Sequence, residues 1–142
     1  NANGTQDTLR RSVADTEVLA ATNTLLATDS GKTLFLNHAT EFATTLPAAA
    51  AGLEFTFIVT AAPSSASYTI VTPSSAQIIV GHVLTSGFND SPADVETTAG
   101  ATTITFVDGV AVMGDRCHVI SDGTNWYASA ICAAEAGVTY TG

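Results

Sequence analysis

Apolar and polar residues alternate in short stretches along most of the chain, from Val13 onward. The clearest stretch is 53–59, in which every second residue is apolar: Leu53, Phe55, Phe57 and Val59. A period of two places such side chains on one face of a β-strand. Shorter runs of the same kind, many of them β-branched, predict further strands at 34–36, 42–46, 68–71, 78–84 and 102–107.

Two Asp-Gly pairs lie between such runs in the C-terminal third of the chain. Asp108-Gly109 separates residues 102–107 from 110–113, and Asp122-Gly123 separates 116–120 from 126–131. An Asp-Gly pair supplies the positive φ angles that tight hairpin turns need. The sequence therefore predicts two β-hairpins.

Helical signals are nearly absent from the chain. Residues 47–52, PAAAAG, have the proline-first and glycine-last order of a helix. A segment of about one and a half turns is too short to be stable alone, so we expect a tight connection between two strands. Many short strands without a long helix predict a single all-β domain over residues 13–142, built as a β-sandwich, a jelly-roll-like fold or a barrel.

Two polar segments stand outside this pattern. Residues 1–12, NANGTQDTLRRS, show no periodicity and are predicted to form an extended N-terminal arm. The stretch from Thr85 to Ala101 contains glycine, proline and acidic residues, and it predicts a long exposed loop. The loop carboxylates Asp90, Asp94 and Glu96 are candidate Ca²⁺ ligands. Their spacing does not match the twelve-residue helix–loop–helix pattern, so we favour an acidic, solvated loop.

The charge balance narrows the function classes. Only 12% of the residues are charged, and 4 Lys and Arg stand against 13 Asp and Glu, for a net charge of −9. Nucleic-acid binding needs clustered cations on the phosphate backbone, so we expect no nucleic-acid partner. An anionic membrane surface would repel the chain, and no apolar run approaches the ~18–20 residues of a membrane span.

The residues that usually carry chemistry do not form a recognisable site. The adjacent pair Cys117-His118 points to opposite faces of a strand and so cannot form a nucleophile–base dyad. Cys117 and Cys132 are expected to be buried free thiols. His38, His82 and His118 are too far apart in sequence to suggest a metal triad. We therefore expect no enzymatic activity, no metal and no cofactor.

Trp126 and Tyr127 follow the Asp122-Gly123 turn and must lie on opposite faces of their strand. One of the two rings is expected in the core and the other at the surface or against a partner. An exposed aromatic ring can stack on a sugar, but burial in the core and in an interface is the more common use. Tyr127 is therefore a candidate partner contact.

Lysine is almost missing from the chain, which contains only Lys32. Natural β-sheets protect their edges with charged residues, lysine above all. A chain without that protection either closes its sheets or pairs them with another chain. Because charge is also depleted at interface cores, we expect the protein to work in an oligomer or on a larger particle.

Several stretches in order resemble one family. They are Asp29 to Asn37 (DSGKTLFLN), Phe42 to Pro47 (FATTLP), Ala51 to Val59 (AGLEFTFIV), Tyr68 to Val71 (YTIV) and Val119 to Tyr127 (VISDGTNWY). From about Thr24 to the C-terminus the series resembles small β-rich structural proteins of tailed bacteriophages, the head decoration or cement proteins. The SDGTNWY piece is also common in phage tail-fibre and spike domains.

This resemblance implies a non-enzymatic virion protein on the outer surface of a phage capsid. It would bind the major capsid protein, often as a homotrimer at local three-fold positions, and reinforce the shell against the pressure of the packed DNA. The net charge of −9 agrees with an outer location, because packed DNA inside the head would repel it. The alternative is a glycan-binding adhesion module of a tail fibre or spike, with Tyr127 and the 89–96 loop as the candidate contacts.

The arm generates a first prediction, because it carries two of the four cations, Arg10 and Arg11. These side chains either pair with acidic groups on a capsid subunit or remain solvated. We expect deletion of Asn1 to Ser12 to weaken capsid binding and to leave the fold intact. Occupancy on particles and the circular dichroism spectrum measure the two effects, and normal occupancy by the truncated protein would contradict the role.

Overall fold

Two β-sheets packed face to face form the body of the protein. The structure, a computed structural model, describes residues 14–38, 42–86 and 95–142, with the backbone alone for 95–99. The predicted arm, with Arg10 and Arg11, lies outside the described residues. In the described part of the chain, the strands are β1 (Thr16–Leu19), β2 (Asn23–Thr24), β3 (Thr33–Leu36), β4 (Phe42–Thr45), β5 (Glu54–Val59), β6 (Tyr68–Val71), β7 (Ile79–Thr85), β8 (Val95–Ala101), β9 (Thr103–Phe106), β10 (Arg116–Ser121), β11 (Trp126–Cys132) and β12 (Val138–Thr141), with one 3-10 turn at Ala27–Asp29.

The strands belong to a seven-stranded sheet A and a five-stranded sheet B. The order in sheet A is β1-β3-β5-β10-β11-β7-β8, and the order in sheet B is β12-β9-β6-β4-β2. This arrangement confirms the prediction of an all-β sandwich.

The first six strands alternate between the two sheets. The first four of them each pair in parallel with the strand two places later, so that β1, β3 and β5 are neighbours in sheet A and β2, β4 and β6 in sheet B. Parallel neighbours need a crossover connection, which is usually a helix. Here a strand of the opposite sheet serves as the crossover, so parallel pairs form in a fold without long helices. The sequence did not predict these parallel pairs.

The core lies between the inner faces of the two sheets. Strand β5 buries Phe55, Phe57 and Val59, as the period of two predicts. Strand β11 alternates along its whole length, with Trp126 fully buried and Tyr127 exposed. Strands β5 and β11 lie on either side of β10, and the ring centroids of Phe55 and Trp126 are 6.0 Å apart. The prediction that Trp126 and Tyr127 lie on opposite faces is confirmed.

One of the two predicted hairpins is confirmed. Strands β10 and β11 are antiparallel and join through residues 122–125, and Gly123 adopts a φ of 104° in the connection. The prediction of a hairpin at Asp108-Gly109 is wrong. A turn forms there, since the Val107 carbonyl accepts bonds from the amides of Val110 and Ala111 at 3.2 and 2.8 Å. However, β9 already has β6 and β12 as neighbours, so the following chain crosses to sheet A and becomes β10.

The predicted loop from Thr85 to Ala101 is wrong in its second half. Residues Val95–Ala101 form β8, an edge strand that pairs antiparallel with β7. This segment pairs with the backbone edge of β7. Its polar composition is typical of a loop, but its threonines also suit a strand. The short connection predicted for 47–52 is confirmed, with Gly52 at a φ of 85° and no helix in that segment.

A buried carboxylate fixes the crossover between the sheets. Asp115 is only 3% exposed, and its two oxygens accept hydrogen bonds of 2.9 Å from the amides of Val112 and Ala133. Charge-assisted bonds of this kind are stronger than neutral ones. Asp115 therefore holds the loop before β10 against the end of β11.

The close approach of β7 to β11 generates a stability prediction. A Cβ atom at Gly81 would overlap the Ala128 carbonyl oxygen and lie 2.9 Å from the Ala128 side chain. We expect Gly81→Ala to lower the free energy of unfolding by about 1–3 kcal/mol, because backbone must move to make room. Gly100→Ala is the matched control, since a Cβ there meets nothing within 4 Å. Equal urea midpoints for the two variants would contradict this account of the β7–β11 contact.

Candidate functional site

The outer face of sheet A, the face turned away from sheet B, carries three rows of side chains that run across its strands. The strand register sets these rows, because residues opposite one another on neighbouring strands share a face at every second position. Seen along the strands, the rows are apolar at one end, polar in the middle and mixed aromatic and apolar at the hairpin end. We call them the apolar row, the polar row and the aromatic row.

The apolar row crosses six strands of sheet A. It consists of Val18, Phe35, Ile58, Arg116, Ile131 and Leu84. Val18, Ile131 and Leu84 are 58%, 51% and 45% exposed, and Phe35 and Ile58 are half-buried. Met113 extends the row at the edge of a shallow depression of about 460 Å³, which Arg116 and Ile131 also line. An apolar strip of this length on the surface is typical of an interaction site.

The polar row consists of Thr16, Thr33, Thr56, His118, Ser129 and His82. His118 Nε2 lies 3.2 Å from Glu54 Oε2, and His82 Nε2 lies 3.4 Å from Ser129 Oγ. These contacts orient the two imidazole rings. The row therefore offers a line of hydrogen-bonding groups between two apolar borders.

The aromatic row consists of Glu54, Ile120, Tyr127 and Val80. Between it and the polar row lies a shallow groove of about 500 Å³, which we call the aromatic groove; it is lined by Val80, Gly81, His82, His118, Ile120, Tyr127, Ala128 and Ser129. Gly81 and Ala128 have the smallest side chains among these residues. Both residues occupy inner-face positions of their strands, and Ala128 is only 4% exposed, so they line the groove with backbone atoms.

The hairpin turn holds the Tyr127 ring in place. The Tyr127 hydroxyl donates a hydrogen bond of 3.0 Å to Asp122 Oδ2. The other carboxylate oxygen accepts bonds from the amides of Asn125 and Thr124 at 2.9 and 2.8 Å. These backbone donors, first that of Asn125, lower the pKa of Asp122. The carboxylate in turn raises the pKa of Tyr127, so the phenol stays neutral beside an ionised carboxylate.

The sole lysine lies away from the three rows. Lys32 Nζ contacts Asp29 Oδ1 at 2.8 Å and Glu17 Oε2 at 2.9 Å. These two carboxylates, first that of Asp29, raise the pKa of the ammonium group. Because Glu17 belongs to β1 and Lys32 precedes β3, the ion pairs strengthen the edge of sheet A.

The cysteines lie in the core and not on the outer face of sheet A. Cys117 and Cys132 are buried free thiols, as predicted, and burial raises the pKa of Cys117 to about 12. His118 lies on the outer face and Cys117 on the inner face, so the two do not form a dyad. Asp90 and Asp94 lie outside the described residues, and so does the side chain of Glu96. Within the side chains that are described, no group of three His, Cys, Asp or Glu residues could bind a metal ion.

Sequence reasoning found one member of this site and missed the others. Tyr127 was predicted as a surface aromatic, and the structure shows it 43% exposed in the aromatic groove. Gly81, His82 and Glu54 come from strands that are distant in sequence from Tyr127. Only the register brings Gly81 and His82 next to β11, and Glu54 to Ile120, the neighbour of Tyr127. The alternation within β7 and β5 indicates on which face of the sheet each residue lies, but it does not indicate which strand is its neighbour.

Comparisons of the chain with protein-family models, with curated proteins and with solved structures find no match. In the part of the chain that the structure describes, no helix has the length and apolar character needed to cross a membrane.

The Asp122 turn generates a pH prediction. Because its pKa is lowered in the folded protein, Asp122 contributes stability above its unfolded pKa of about 3.9, and this contribution is lost as the pH falls through the folded value. We expect Asp122→Asn to lower the urea midpoint near neutral pH and to flatten its decline at acid pH. An unchanged slope between about pH 5 and pH 2 would contradict the assigned role.

Proposed function

We propose that the protein is a structural virion protein, a decoration subunit that binds the outer surface of a phage head through the outer face of sheet A. It stabilises the shell by contacts with the major capsid protein and performs no chemistry. The single observation that supports this proposal best is the apolar row, together with the family resemblance of the sequence.

The two outer faces of the sandwich differ in character. On sheet B, threonine side chains occupy the outer positions of three adjacent strands, at Thr69, Thr103, Thr105 and Thr139. On sheet A, the corresponding surface carries the apolar row. Fully burying a leucine or isoleucine side chain stabilises by about 1.5–3 kcal/mol. Leu84 and Ile131 are about half exposed, so roughly half of that free energy is still to be gained when an interface covers them. Docking therefore favours the sheet A face.

Charge points the same way. The apolar row contains one charged residue, Arg116, and Lys32 is engaged by two carboxylates at the sheet edge. An interface core depleted of charge desolvates at little cost. The net charge of −9 keeps the free subunit soluble and would be repelled by packed DNA, which favours the outer surface of the head.

A homotrimer is part of the proposal. One apolar row is small beside the surface that a stable complex usually buries. Three copies held together would engage three capsid sites at once, and the second and third contacts then form at high effective concentration. Capsid regions bound in this way unfold only after the subunits leave, so the shell gains stability by mass action.

The apolar row gives the test of the proposal. We expect the double variant Leu84→Ser, Ile131→Ser to bind capsids at least about tenfold more weakly, because two half-exposed side chains lose most of their apolar area. Its thermal midpoint should change little, since both residues face solvent in the free subunit. Occupancy on capsids that lack the protein, counted against concentration, measures the loss.

The matched control is Thr105→Ser, Thr139→Ser, a pair of neighbours on the outer face of sheet B. It should leave the binding unchanged. Equal capsid affinity of the two double variants would contradict docking through sheet A, and capsids that resist heat equally with and without the wild-type protein would contradict decoration itself.

A further inference from the structure

We propose that the aromatic groove binds an arginine side chain carried by the protein partner. The inference rests on the proposed function for the identity of the partner, the capsid protein, but not for the chemistry of the site. It concerns the face that the apolar row also occupies, at the hairpin end.

Two carboxylates, those of Asp122 and Glu54, lie beside residues that line the groove. Asp122 holds the Tyr127 hydroxyl, and Glu54 contacts the His118 ring. Among the described side chains, no lysine or arginine forms an ion pair with either carboxylate. The nearest arginine along the sheet, Arg116, belongs to the apolar row, two rows away. The two carboxylates beside the groove therefore favour a cationic ligand over an anionic one.

The Tyr127 ring makes the site specific for a flat cation. The ring is 43% exposed and lines the groove, and its hydroxyl is tied to the hairpin turn. A guanidinium group stacks on such a ring and can donate hydrogen bonds to carboxylates at its edge. A lysine ammonium lacks the plane and is more strongly hydrated. Arginine is therefore the better fit.

The remaining lining suits the rest of an arginine side chain. Val80 and Ile120 flank Tyr127 in the aromatic row and present apolar surface. The methylene groups of an arginine can cover such surface while the charged end stays at the rim. The strand backbone at Gly81 and Ala128 forms the floor of the groove between these side chains. An anionic ligand would instead meet the two carboxylates.

The test uses the full chain and a defined probe. The probe is the capped peptide Gly-Arg-Ala-Arg-Gly, and its twin replaces both arginines by citrulline, which has the same shape without the charge. We expect the arginine peptide to shift the ring resonances of Tyr127 in a nuclear magnetic resonance titration and to bind more weakly as salt is added. The citrulline peptide should bind several times more weakly.

Two variants assign the binding to the groove. Followed by the backbone amide resonances of Ile120 and Ala128, which report binding in every variant, Tyr127→Ala should weaken the binding of the arginine peptide about two- to fivefold, which is the contribution of a cation–π contact at an exposed site. Tyr127→Phe keeps the ring and should retain most of the binding. Ile131→Ala, in the apolar row, is the control on the same face and should bind the peptide as the wild type does.

Three results would overturn the inference. The first is equal binding of the arginine and citrulline peptides, and the second is stronger binding of a neutral methyl glycoside at Tyr127, which would indicate a glycan site. The third is a shift of the Tyr127 resonances in the Arg10→Ala, Arg11→Ala variant without any ligand, which would assign the groove to the chain's own arm.

The outcome is separable from that of the proposed function. Peptide binding without capsid binding would support the site and contradict decoration. Capsid binding without peptide binding would support decoration and overturn the arginine site.

Discussion

Both faces of sheet A carry apolar side chains, and within the described residues sheet B covers only the inner face. The inner face buries Phe55, Phe57 and Trp126, which supply much of the core. The outer face presents Ile131 and Leu84, roughly half exposed to water. Strand alternation makes this arrangement unavoidable once apolar residues occupy consecutive positions, because one of each pair must face outward. The uncovered face is the constraint on which the docking proposal depends.

The winding of the chain determines what lies on that face. Strands β1, β3 and β5 reach sheet A from successive crossovers, and β7 joins it later, parallel to β11. This parallel pairing places Val80 and His82 beside Tyr127 and Ser129, although the segments are far apart in sequence. Gly81 allows the two strands to approach closely at this point. The groove is therefore a product of topology and not of any single motif.

Local features of the fold could be predicted from the sequence, and non-local ones could not. The alternation in β5 and the positive φ available at Gly123 are properties of neighbouring residues, so they indicated a strand and a hairpin correctly. Asp108-Gly109 has the same local signal, but residues 110–113 form no strand, and β9 pairs with β6 and β12 instead. Strand β8 forms because β7 offers an edge, which its own polar composition does not reveal. Tyr127 was predictable as a surface ring, whereas Glu54, Gly81 and His82 needed the register.

Site-specific labelling on particles tests the central claim most directly. The native thiols are buried, and burial raises the pKa of Cys117 to about 12, so a single new surface cysteine is labelled selectively. Ile131→Cys places the thiol in the apolar row, and Thr139→Cys places it on the opposite outer face of the sandwich. We predict that capsid binding protects the cysteine at 131 from a maleimide and leaves the cysteine at 139 reactive. Equal reactivity of the cysteine at 131 on and off the capsid would contradict the account.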